Sequence, residues 1–202
     1  MTVIFERRAT SYEEMLQAAR ARLEGKNPKE IANKACVEFD GTSFSFHSFG
    51  QNVRVTYPDY EVIPHRSEWL TLVILHYLDL ADGTPLTGQP ITFAQQKDGL
   101  VRGSGFDRLV ETKTARILGK LTEAELVRRC IALGGVIQKS NADLCAAFSF
   151  LPMYPLVLKM WFADEDFPAS GRLLLDSSAE HYLTIEDAVT LGETFLQMLE
   201  SM

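Results

Sequence analysis

One stretch constrains the fold more than any other. The segment SEWLTLVILHYLDLADG, residues 67–83, opens on Ser67, a residue suited to capping a helix, and then sets apolar side chains around nearly its whole circumference. A helix with a polar face rests on a surface, whereas one without must be covered on every side. The chain is therefore expected to wrap other layers around a central buried helix running from Ser67 to about Leu80. A composition of 46% hydrophobic and 23% charged residues over 202 positions can supply such a core within one domain.

The covering elements announce themselves by period. SYEEMLQAARARLEG opens at Ser11 with Glu14 three residues on, a capping box, and puts Tyr12, Met15, Leu16, Ala19 and Leu23 on one stripe before Gly25 ends it. Asn27 and Pro28 predict the cap and first position of a second helix. Residues 1–35 are thus expected to form a helical arm that could stand apart as a lid. The next segment alternates: Val37 and Phe39, Phe44 and Phe46, then Val53, Val55 and Tyr57. With turns at Asp40-Gly41 and Gly50-Gln51, this predicts a three-stranded antiparallel meander.

After the central helix, Gly83, Pro85, Gly88 and Pro90 mark a loop, with a short strand expected at Ile91 to Phe93. Helices are expected over SGFDRLVETKTARILG and over TEAELVRRCIALGG, where Thr122 and Glu125 make a second capping box. Period two then returns at Leu144, Ala146, Phe148 and Phe150, again at Leu156, Leu158, Met160 and Phe162, and in RLLLD. Thr184 caps a last helix whose stripe is Ile185, Ala188, Val189, Gly192, Phe195, Leu196 and Leu199. The fold class is α+β: one domain over residues 1–202, with antiparallel sheet covered by helices and one central buried helix. Periodicity leaves open whether the two β segments share one sheet.

Composition narrows the partners. A formal charge of −7 repels phosphate backbones, which argues against nucleic acid and anionic membrane. MTVIFERRAT has no long apolar run, so it does not read as a signal peptide, and the most apolar window is too short to span a bilayer. The expected location is the cytoplasm. Cys36, Cys130 and Cys145 are odd in number and form no Cys-x-x-Cys pair, so they read as buried reduced thiols.

The stretch WFADEDFPASGRLLLD, residues 161–176, is the most suggestive of a site. If the strand before it continues, Asp164 and Asp166 point to one side and Glu165 to the other. The pair would then suit Mg²⁺ or Ca²⁺, or acid/base work. The alternative is a solvated hairpin tip, with Pro168 and Gly171 marking the loop. Trp161 lies on the strand face opposite Leu158 and Met160, where an indole lines a pocket or packs under a second layer. His76 falls within the central helix, as a ligand, a proton carrier or a hydrogen-bonded core histidine. Asp176, Ser177, Ser178 and His181 supply the residue types of a hydrolase triad but crowd within six positions. Gly103, Ser104 and Gly105 are expected at a helix start, either as an anion cradle or as a flexible capped loop.

The segment PLVLKMWFADEDFPASGRLLLDSSAEHYLTIEDAVTLGETF, with FGQNVRVTYPDYEV and LTLVILHYLDLADGTPLTG, resembles a family of prokaryotic domains of unknown function common in anaerobes. The likeness is most specific in the Pro-Leu, Trp, Asp-Glu-Asp-Phe-Pro, Leu-Leu-Asp-Ser-Ser and Tyr-Leu series between Pro155 and Leu183. Some members carry an additional cysteine-rich iron–sulfur-type module, whose cysteines this sequence lacks. The resemblance supplies no reaction and no established catalytic residues. Because its series concentrates Trp161, Asp164, Glu165, Asp166 and Tyr182, these are the expected ligand-binding residues of a small-molecule or cofactor-binding domain. Two alternatives stand beside that reading. One is an interaction module or homodimer docking through an exposed apolar sheet face. The other is a metal-assisted hydrolase or transferase using Asp164 and Asp166 with Asp176 or His181.

Overall fold

The computed structural model of the protein describes the backbone of residues 2–202 and the side chains from Ser11 onward. Among the described residues it is an α+β fold of six α-helices and two antiparallel sheets. The order is α1 (Thr2–Leu23), α2 (Pro28–Ala35), β1 (Glu38–Phe39), β2 (Ser43–Ser48), β3 (Gln51–Thr56), β4 (Val62–Ile63) and α3 (Glu68–Leu80). There follow β5 (Pro90–Ile91), α4 (Gly99–Leu118), α5 (Glu123–Ala132), β6 (Val136–Ile137), β7 (Leu144–Leu151), β8 (Tyr154–Trp161), β9 (Ser170–Asp176) and α6 (Ile185–Ser201).

α3 is the expected central helix. Ser67 Oγ accepts the Leu70 N–H, and every residue from Leu70 to Leu75 is buried, as are Tyr77 and Leu78. α1, α2 and α6 pack against it. Leu16, Ala19 and Leu23 of α1 are buried, and the Tyr60 hydroxyl donates to the Leu23 carbonyl. α1 starts upstream of its expected cap: the helix runs through Ser11, because the residues before it also take helical backbone. α2 starts as expected, with Asn27 Oδ1 accepting the Lys29 N–H.

The sheets are separate. The first has the order β1-β2-β3-β4, which adds a two-residue strand to the expected meander. The second has the order β5-β9-β8-β7-β6. Its helix-covered face carries Leu156, Leu158 and Met160 opposite Leu175, Leu173 and Gly171, with α4 lying across β9. A Cβ on Gly171 would stand 2.7 Å from Thr114, so the helix crosses where the strand has no side chain. The short strand expected at Ile91 to Phe93 is Pro90–Ile91, with Phe93 already in a 3₁₀ turn.

The two sheets meet at one turn. β2 and β3 pair Ser48 with Gln51, which leaves Phe49-Gly50 as the connecting pair at φ 48° and 70°. Positive φ at both positions is the type I′ hairpin. The turn therefore sits one residue before the expected Gly50-Gln51. Its Phe49 N–H donates to the Ser149 carbonyl of β7 at 3.0 Å. The ring packs with centroids 5.1 Å from Phe150 and 5.7 Å from Phe195. Gly134, at φ 77°, presses its backbone on the same turn, and a Cβ there would fall 2.5 Å from the Gly50 nitrogen.

Phe49→Ala should therefore cost about 3–5 kcal/mol in urea unfolding, the usual range for a buried phenylalanine. Gly134→Ala should lower stability by more than ~1 kcal/mol, since it adds both a clash and a disfavoured φ.

Candidate functional site

The acidic stretch forms the bend between β8 and β9. Asp164 Oδ1 accepts the N–H groups of Asp166 at 2.9 Å and Phe167 at 2.7 Å, and Asp164 N–H donates to the Phe167 carbonyl. Asp164, Glu165 and Asp166 are all exposed. Trp161, at the foot of the bend, donates from Nε1 to the Asn141 carbonyl at 3.1 Å. It lines a recess of about 340 Å³ with Asn141, Glu111 and Arg172.

Tyr182 lies elsewhere. It is fully buried, stacks on Tyr77 at 5.8 Å, and its hydroxyl donates to the Thr84 carbonyl. Burial, then the nearby Asp82 carboxylate, pushes this phenol up to about 12. Trp161 pairs with Ser170 at one end of the β8–β9 ladder, while Leu156 pairs with Leu175 next to Asp176 at the other. At ~3.4 Å per residue these ends are about 17 Å apart. The fold thus brings Trp161 and the acidic bend together and keeps Tyr182, Asp176 and His181 away from them. Among the described residues no group of three or more His, Cys, Asp or Glu side chains is arranged to hold a metal ion.

Asp176, Ser178 and His181 do not assemble as a triad. Ser178 Oγ donates directly to Asp176 Oδ1 at 2.7 Å, with no imidazole between them. His181 Nδ1 turns instead to Asp82, 2.7 Å away. The Thr84 hydroxyl and His181 hold the Asp82 carboxyl down at about 2. Asp176 staples the loop before β5: Oδ1 accepts from Thr87 N–H and hydroxyl, and Oδ2 accepts from Gly88 N–H at 2.7 Å. Burial opposes its charge, but the N–H and hydroxyl groups of Thr87 and Ser178 outweigh that and hold its carboxyl at about 2.

Gly103, Ser104 and Gly105 lie inside α4, not at its start. Gly103 rests on the Phe93 carbonyl, 2.2 Å from where a Cβ would stand, so this glycine serves packing. Cys130 and Cys145 are buried as expected, with burial raising the Cys130 thiol to about 11. Cys36 is exposed, contrary to the expectation, because it caps the C-terminus of α2 in left-handed conformation at φ 52°.

That thiol stands at the rim of the largest cavity described, an open groove of about 760 Å³. Its floor is the outer face of the first sheet. Register sets Glu38, Ser45, Arg54 and Ile63 in one row across four strands and His47 beside Asn52 in the next. The alternate residues Phe44, Phe46, Val53 and Val55 are buried beneath. Ser149 of β7 and Pro152 of the β7–β8 turn form the facing wall. Among the described residues Glu38, His47 and Arg54 make no ion pair. These polar positions are visible in the sequence as the gaps in the alternation. Only the strand pairing gathers them.

His76 is hydrogen-bonded, with Nδ1 2.7 Å from Asp187 Oδ1 on α6. The sequence hides this pair, since the partners are 111 positions apart and Asp187 looks like a helix-start acid behind Thr184.

A sequence model of the family described as Domain of unknown function (DUF3786) matches residues 27–198. The chain belongs to the DUF3786 family. No curated protein and no solved structure matches it. The DUF3786 span covers both sheets and α2 to α6, and α1 precedes it. Among the described residues, no helix of this DUF3786 protein is long and apolar enough to cross a membrane.

The loop staple has a pH signature. A carboxyl depressed on folding stabilises above its unfolded pKa, and that stability is lost as pH falls through the folded value. Asp176→Asn should cost about 2 kcal/mol at neutral pH, because its NH₂ replaces one accepting oxygen and so faces the donors of either Thr87 or Gly88. The difference from wild type in urea unfolding should shrink between pH 4 and about 2.

Proposed function

We propose that this DUF3786 protein binds a small molecule bearing a carboxylate or phosphate in the groove between its two sheets. The observation that carries the reading is the row of unpaired polar side chains on the groove floor. Arg54 offers a planar donor fork suited to an oxyanion, with Asn52 and His47 one row away and the Ser45 hydroxyl directly opposite it. Glu38, at the end of the same row, gives a second polarity, so a ligand with a hydroxyl or amine beside its acid matches the floor better than a bare anion. The volume lies within the range of small-molecule sites. The recess beside Trp161 is smaller, and Glu111 lines it together with Arg172, which offsets the attraction for the same ligands.

Thermal-shift and NMR titrations with inorganic phosphate, citrate and glutamate test this. At least one should raise the unfolding temperature of wild type at millimolar concentration and perturb the Arg54 and Asn52 resonances. Arg54→Ala should abolish the response while leaving the unliganded stability within ~0.5 kcal/mol, as for other exposed substitutions. A response that survives Arg54→Ala, or no response to any probe, overturns the assignment.

A further inference from the structure

A second cavity holds the His76–Asp187 pair. Asp187 is buried and fixed twice by Thr184: its Oδ2 accepts the Thr184 hydroxyl at 2.7 Å, and its N–H donates to the same oxygen at 3.2 Å. A carboxylate held against Nδ1 selects the tautomer with its proton on Nδ1 and leaves the lone pair on Nε2. Among the described residues Nε2 has no protein partner, and it is not one of the enclosed unpartnered atoms, so solvent reaches it. The imidazole lines a cleft of about 440 Å³ between α1, α3 and α6. Behind the pair, the Tyr154 hydroxyl is enclosed without a partner, and burial followed by the Asp187 carboxylate raises its pKa.

The walls decide what the cleft accepts. Met15, Ala18 and Leu80 are apolar. Arg22, the cation among the described lining residues, is bound to Asp79 at 2.9 Å. Glu186, at the rim, pairs with Arg102 at 3.1 Å. No unpaired positive charge faces the cavity among the described residues, and three carboxylates line it, so anions are disfavoured. A neutral molecule with an apolar part fits, and a base at its end acts on it through water.

We propose that the cleft between α1, α3 and α6 is a hydrolytic site for small neutral acyl esters, with His76 as general base and Asp187 as its positioning residue. Nε2 takes a proton from a water molecule as the water oxygen bonds to the ester carbonyl carbon. The carbon–oxygen bond to the leaving group then breaks. The imidazolium returns the proton to the departing alkoxide, so the products are a carboxylic acid and an alcohol. This site is separate from the groove between the sheets and stands or falls without it.

The test is hydrolysis of p-nitrophenyl acetate by the full chain. Wild type should exceed an equal concentration of free imidazole, and His76→Gln should lower the rate about 100-fold, the scale of general-base catalysis. Asp187→Asn should lower kcat with little change in KM. Long-range ¹H–¹⁵N spectra in mildly alkaline buffer should show the Nδ1–H tautomer in wild type and a mixture in Asp187→Asn. Ala18→Trp fills the cleft from the exposed side of α1, and should remove hydrolysis while leaving the unfolding temperature unchanged. It decides the matter if the dyad variants fail to fold. Lys29→Ala, exposed on α2 and outside both cavities, should leave the rate unaltered. A wild-type rate no greater than that of imidazole, or activity retained in folded His76→Gln or in Ala18→Trp, overturns the proposal.

Discussion

A phenylalanine held in left-handed backbone joins the two halves of this molecule. Phe49 occupies a conformation that costs a bulky residue strain, and the surroundings compensate. Its amide reaches the second sheet, and its ring enters the aromatic cluster of Phe148, Phe150 and Phe195. Neither β segment closes a core by itself. The first sheet meets α2 through β1 and the second sheet through β2 and this turn, whose ring enters between β7 and α6. The groove between the sheets is a product of this joint, because Ser149 is both the acceptor of the Phe49 amide and part of the facing wall.

Local signals in the sequence carried far. The all-round apolar pattern of α3 placed it at the centre, and the stripe of α6 is buried residue for residue. The caps at Asn27, Ser67, Thr122 and Thr184 all sit where their side chains imply. What the pattern could not convey was anything set by distant pairing. The strands β1, β4, β5 and β6 are two residues long, too short for a period, and exist because a longer neighbour offers its edge. The run Gly103-Ser104-Gly105 looked like a loop because glycine disfavours helix, yet α4 keeps Gly103 where Phe93 leaves no room for a side chain.

The sites show the same division. The bend at Asp164 to Asp166 is a local matter, and its exposure matches the solvated tip that was one of the readings its sequence offered. Tyr182 shares a stretch of sequence with Trp161 but not a cavity, because a strand lies between them. Conversely, Arg54 and His47, or His76 and Asp187, carry no local motif. Each set is gathered by strand register or by helix packing across the core.

α1 lies outside the span matched to the DUF3786 family, yet Met15, Ala18 and Arg22 form one side of the cleft over His76. The floor of that cavity and its roof are therefore built by different parts of the chain. Exchanging the leading helix for another would re-cut the opening above an unchanged imidazole, so what enters there can diverge while the scaffold beneath stays fixed.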